Sequence, residues 1–204
     1  MDKLLWLSLG FTIGLSGALI PGPLLIYTLS QAIKQGTKAG IIVTTGHFLI
    51  EVIVICLILT GGSFILKFTS LRSYITWIGA IALIVMGMLV FKKSFNIEFT
   101  QHKSKNIKYG VAGGAFFTIF NPSFPIWWTS IGVPVILKIY LTGILGVILF
   151  MLGHWAADFG WYIFISYGAS KGKPYLTDRS YRIFSRMLGL LLLGFGVYSM
   201  VIGI

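Results

Sequence analysis

Two long apolar runs each carry one imidazole and one carboxylate a helical turn apart, and this placement leaves the chain few ways to fold. Gly46-His47-Phe48-Leu49-Ile50-Glu51 lies in the first run and Gly153-His154-Trp155-Ala156-Ala157-Asp158 in the second. Both read Gly-His-x-x-x-acid. A four-residue step puts the two side chains of each copy on one helix face. No other Asp, Glu, Lys, Arg or His occurs between residues 39 and 66 or between 139 and 170. A charged side chain at mid-bilayer costs roughly 2.5–3.5 kcal/mol on the lenient insertion scale. Carrying that cost twice, with the same pair, points to a site. The plainer alternative is that each pair only stitches helices together by hydrogen bonds.

Composition requires the bilayer. Of 204 residues, 56% are apolar and 10% are charged, with a mean hydropathy of +0.91. A soluble domain carries about 25% charged residues, so this chain could not cover a water-facing surface. Six apolar runs are read: Leu4–Ile33, Ala39–Leu66, Tyr74–Phe91, Tyr109–Leu137, Ile139–Ser170 and Met187–Ile204. A straight span needs about 20 residues, so the longer runs must tilt, break or bury their surplus. The first run is too long for the apolar core of a signal peptide and reads as a retained span.

The net charge of +11 sits between the runs. It is read as orientation and contact with anionic lipid, not as nucleic-acid binding. With six crossings, four basic residues (Lys3, Lys67, Arg72, Lys138) fall on one side and twelve on the other. The expectation is a cell-membrane protein with both termini outside and loops 34–38, 92–108 and 171–186 in the cytoplasm. A short interfacial helix is expected within 171–186.

The basic stretch 92–108 divides the chain into two three-helix units, 1–91 and 109–204. It reads as a solvated linker, His102 included. An odd number of spans inverts the second unit relative to the first. The second span of each unit carries the His/acid pair, and the first carries a proline cluster. Pro21-Gly22-Pro23 precedes Thr28, and Asn121-Pro122-Ser123-Phe124-Pro125 precedes Thr129, with Pro21–Thr28 and Pro122–Thr129 equally spaced. The expected fold is therefore all-α and membrane-embedded, with six transmembrane helices in two inverted three-helix repeats whose first helices are broken.

Proline inside a helix removes a hydrogen bond and clashes with the preceding turn. In lipid the freed backbone groups need protein or a wet cavity. Pro21, Gly22, Pro23, Asn121, Pro122 and Pro125 are thus expected at interior breaks, where half-helix N-termini attract an anion. Simple kinks are the alternative. Gly10, Gly14 and Ala18, and likewise Gly110 and Gly114, form small-xxx-small faces for close packing. Trp127, Trp128, Trp155 and Trp161 suit either a cavity wall or the membrane interface.

Enzymatic readings find little. His-x-x-x-Glu lacks the His-Glu-x-x-His order of zinc proteases. No Gly-x-Ser-x-Gly elbow and no Walker loop occur, and the single cysteine, Cys56, excludes an internal disulfide. No cofactor is expected. The expected partners are a small-molecule substrate and membrane lipid, and a homo-oligomer is compatible with the chain. Two imidazoles and two carboxylates also make a credible divalent-metal shell, so metal transport through His47, Glu51, His154 and Asp158 is the alternative function.

The segment GALIPGPLLIYTLSQAIKQGTKAGIIVTTGH resembles the signature of the LysE-type amino-acid exporters. Pro-Gly-Pro in the first helix is followed by Gly36-Thr37-Lys38-Ala39-Gly40 and by Gly46 in the second helix. Asn121-Pro122 matches the family's Asn-Pro. The resemblance extends over the whole chain in length and layout. It implies an inner-membrane transporter that moves amino acids outward on an ion gradient. The best-known members carry an acidic residue in the second helix. The His/acid pair in both halves, with Asn-Pro-Ser-Phe-Pro-Ile-Trp-Trp, departs from that pattern and resembles a less-studied, archaeal branch. On this reading the breaks bind the substrate carboxylate. Glu51 and Asp158 bind its ammonium or the coupling proton, and His47 and His154 share protons with them. Burial penalises the charged form of every one of these groups, which suits proton exchange.

Overall fold

The computed structural model describes residues 3–20, 22–61, 77, 80–81, 83–92, 107–121, 123–172, 175 and 177–202. Every regular element among them is helical. In chain order these are α1 (Lys3–Ala18), α2 (Pro23–Gln35), α3 (Lys38–Thr60), α4 (Leu83–Lys92), α5 (Ile107–Ile119), α6 (Ser123–Trp127), a π-helical turn (Trp128–Gly132), α7 (Val133–Tyr140), α8 (Ile144–Gly172) and α9 (Asp178–Ile202).

The first apolar run is two helices. α1 and α2 meet at 84° across a break of four residues. Gly22 caps α2 in extended conformation and Pro23 occupies its first turn, where proline's missing N–H costs nothing. The fourth run is also divided. α5 stops at Ile119, and α6, the π-helical turn and α7 follow Asn121. The second and fifth runs instead give the long continuous helices α3 and α8. The turn between α2 and α3 rests on Gly36, whose φ of +78° favours glycine.

Among the described residues α3 and α8 are each long and apolar enough to cross a membrane, and the bent α1–α2 pair, taken together, has the length and apolarity for a third. Among the described residues the six-crossing expectation therefore meets two or three spans, and the fourth run is cut by its proline cluster and the π-helical turn into pieces shorter than the bilayer. Residues 62–76 and most of the linker, 93–106, lie outside the described residues. The expected interfacial helix in 171–186 is corrected. Lys171 and Gly172 end α8, and Asp178 to Arg186 are the opening turns of α9. Helix continues there because nothing from Asp178 to Arg186 breaks it.

Glycine sets the main interfaces. A Cβ on Gly46 of α3 would overlap the Val111 carbonyl of α5, and one on Gly114 of α5 would overlap the Val43 carbonyl of α3. Gly153 of α8 meets Leu7 and Phe11 of α1 in the same way, and Gly10 of α1 meets Phe150 of α8. Backbones approach this closely only where side chains are absent. So α1 packs on α8 and α5 packs on α3. The glycine preceding each histidine is what lets the neighbouring helix approach. α4 and α9 pack together through Gly87, Gly189 and Gly196.

Candidate functional site

α3 presents His47 and Glu51 one turn apart, and α8 presents His154 and Asp158 likewise. Because α3 and α8 lie side by side, the four side chains converge. His47 Nε2 is 3.4 Å from Glu51 Oε1 and 3.8 Å from Asp158 Oδ2. His154 Nε2 is 3.0 Å from Glu51 Oε1 and 3.3 Å from Asp158 Oδ2. Glu51 is 2% exposed, and His154 and Asp158 are each 3% exposed. Each imidazole thus faces both its own helix's carboxylate and the other's.

The network assigns the ring protons. Thr118 Oγ1 donates to the Gly114 carbonyl at 2.7 Å, so the same hydroxyl accepts from His47 Nδ1–H at 2.9 Å. His47 Nε2 is left toward the carboxylates. His154 Nε2–H donates to Glu51 Oε1, and the Trp155 indole donates to Glu51 Oε2 at 3.1 Å. Trp155 is held in turn by an edge contact with Phe48, their ring centroids 4.6 Å apart.

The cluster forms one wall of a cavity. Gly14, Gly17, Leu24, Asn121, Ser123, Phe124, Trp127, Trp128 and Tyr162 also line it. It encloses about 40 Å³, room for about three waters with the walls as they stand. The Trp127 ring lies 5.0 Å from the His154 ring. The two helix breaks adjoin one another, since a Cβ on Gly22 would sit 3.2 Å from Asn121 Oδ1. Asn121 Oδ1 accepts from the Ser123 N–H at 3.2 Å and the Ser123 hydroxyl at 2.8 Å, which caps α6.

The residues singled out in the sequence therefore divide. His47, Glu51, His154, Asp158 and Asn121 line one cavity. Gly22 and Pro23 form the start of α2 behind it, and Pro125 is buried in α6. Pro21 and Pro122 lie outside the described residues. The sequence assigns Thr118 no role, and it leaves Trp155 open between a cavity wall and the membrane interface. A threonine in an apolar helix ordinarily bonds its own preceding turn, as Thr28 and Thr44 do here. Nothing local marks Thr118 as a histidine's partner. For Trp155 the signal is its place beside His154 in the motif.

Strong apolarity, helices as the only regular elements among the described residues, two backbone breaks side by side and a buried polar cluster on a small cavity define the class: an integral membrane protein with an interior polar site. A family model described as LysE type translocator matches residues 15–203, and the chain belongs to that family. No curated protein and no solved structure matches it.

Proposed function

We propose that this protein is a secondary active transporter that exports amino acids or similar small solutes, coupled to protons by alternating access. The observation that carries the reading is the convergence of four buried titratable side chains and two helix breaks on one interior cavity. The substrate carboxylate meets the N-terminus of α2 and the Asn121 amide. The carboxylates of Glu51 and Asp158 supply the countercharge for its ammonium or for the coupling proton, with His47 and His154 as proton partners. Two inverted three-helix halves, 1–91 and 109–204, account for the exchange of partners in which each half's α1-like helix packs on the other half's histidine helix. The chain sits in the cell membrane with termini outside and the basic segments 34–38, 92–108 and 171–186 in the cytoplasm. A homo-oligomer is compatible with this arrangement.

The test is transport by the full chain in proteoliposomes under an imposed pH gradient, with a panel of amino acids. Glu51→Gln and Asp158→Asn should each abolish gradient-driven movement while the protein stays folded. Normal transport by both variants would refute the mechanism.

One observation favours a second reading. Ligand atoms of His47, Glu51 and Asp158 lie within 4.8 Å of one another, a group suited to a transported divalent cation. Two donors each ~2.1 Å from an ion are at most about 4.2 Å apart, so the group would have to contract. A melting-temperature rise with divalent cations, lost in His47→Ala, would establish this reading over the first.

A further inference from the structure

The two carboxylates do not have the same surroundings. Both oxygens of Glu51 are engaged: Oε1 accepts from His154 Nε2–H, and Oε2 accepts from the Trp155 indole. Asp158 occupies the corresponding place on α8, one turn after its histidine, and is equally buried. Its Oδ2 accepts no hydrogen bond. His154 Nε2 stands 3.3 Å away, but its one proton in the neutral ring is directed at Glu51. A buried acceptor without a partner is costly, and native structures keep few of them. Where one lies on a cavity wall, a ligand that donates to it recovers that cost.

The same cavity has a bare donor. The Trp128 side chain is 3% exposed, and its indole N–H has no hydrogen-bond partner. Trp128 opens the π-helical turn, in which a Cβ on Gly132 would press on the Trp128 ring. Glycine at that position gives the ring its room. Among the residues lining the cavity, the unmet polar atoms are thus a carboxylate oxygen of Asp158 and the Nδ1 of His154, both from α8, and one neutral donor, the Trp128 indole, from the π-helical turn. A zwitterion carries the complementary pair of groups.

Resting on the transporter reading above, we propose that Asp158 Oδ2 receives the ammonium of a zwitterionic substrate and that the Trp128 indole N–H joins the α2 N-terminus and the Asn121 amide in receiving its carboxylate. Glu51, clamped by His154 and Trp155, then makes no contact with the substrate and is left to the coupling proton. Trp155 is a positioning residue that acts through Glu51.

The test uses purified full-length protein in detergent and reads ligand affinity by thermal stabilisation. The probes are the most stabilising of the twenty standard amino acids, its deaminated acid and its decarboxylated amine. Each lost hydrogen bond to a charged group should weaken binding roughly 10- to 100-fold. Asp158→Asn should weaken the amino acid and the amine by that factor and leave the deaminated acid unchanged. Trp128→Phe should weaken the amino acid and the acid and leave the amine unchanged. Trp155→Phe should lower the ligand-free melting temperature and leave all three affinities intact. These crossed dependences are not the result of a general structural defect.

The assignment is overturned if Asp158→Asn binds the amino acid as the native protein does. It is also overturned if either variant weakens all three probes equally, or if Trp155→Phe removes the preference for the ammonium. Should a variant fail to fold, the native protein still decides. Equal affinity for the amino acid and its deaminated acid overturns the Asp158 role, and equal affinity for the amino acid and its amine overturns the Trp128 role. Stabilisation by divalent cations and by no amino acid would instead refute the amino-acid reading itself, and the assignment with it.

Discussion

Replacing Thr118 by valine tests the hydrogen-bond network at its least obvious member. Valine keeps the β-branched shape and volume and removes only the hydroxyl. Thr118 is fully buried, so no water replaces the lost group. His47 Nδ1–H, now donating to Thr118 at 2.9 Å, would face a methyl group. Leaving a buried donor unsatisfied costs about 1–3 kcal/mol. The Thr118 bond to the Gly114 carbonyl adds little, because that carbonyl can keep its helical partner. At ~2–4 °C per kcal/mol for a chain of this size, the melting temperature should fall by roughly 2–12 °C. His47 has one escape, which is to move its proton to Nε2 and donate to Glu51, 3.4 Å away. That relief keeps the loss toward the lower end and changes the tautomer. Two measurements decide: thermal unfolding in detergent, and imidazole nitrogen NMR on histidine-labelled protein. The native ring should show a protonated Nδ1, and Thr118→Val should lose it. Thr118→Ser should restore both signals, since serine keeps the acceptor. A valine variant with native stability and an unchanged ring tautomer would refute the assigned role of Thr118, and a serine variant as damaged as valine would show that shape was the cause.

Further outcomes follow from the packing and the caps. Gly153→Val should separate α1 from α8, because its side chain would meet the Leu7 carbonyl and the Phe11 amide; overpacking of this kind costs about 1–3 kcal/mol and should appear as a lower melting temperature, with Gly46→Val matching it at the α3–α5 contact. Asn121→Ala should remove the cap on Ser123 and destabilise by about 1 kcal/mol, readable by the same unfolding assay. Cys56 is exposed on α3, a helix read as membrane-spanning, so in intact vesicles a lipid-soluble maleimide should label it and a charged thiol reagent should not. Labelling by the charged reagent at the same rate would place that face of α3 in water.

Much of this arrangement could be read one helix at a time. An apolar run whose one histidine and one acid stand four positions apart dictates a helix with both on one face, and α3 and α8 obey it. A glycine beside each histidine allows a close helix neighbour, and each has one. Proline clusters forbid continuous helix, and the chain breaks at both. These are local consequences of backbone sterics and hydrogen-bond supply, which depend only on nearby residues. The interfacial helix expected in 171–186 failed for a local reason too: charge pattern suggested a separate element, but backbone continuity favoured extending α9.

Pairing across the chain was settled by the tertiary structure. Whether His154 donates to its own helix's Asp158 or to Glu51, 103 residues away, depends on the offset between α3 and α8, and periodicity carries no information about that offset. The same is true of Thr118 meeting His47 and of the Trp155 indole meeting Glu51. Two carboxylates that look equivalent in the repeated motif thus become unequal once neighbours are assigned. A hydrogen-bond donor can serve only one acceptor well, and where the neighbouring helix places that donor decides which carboxylate is left open.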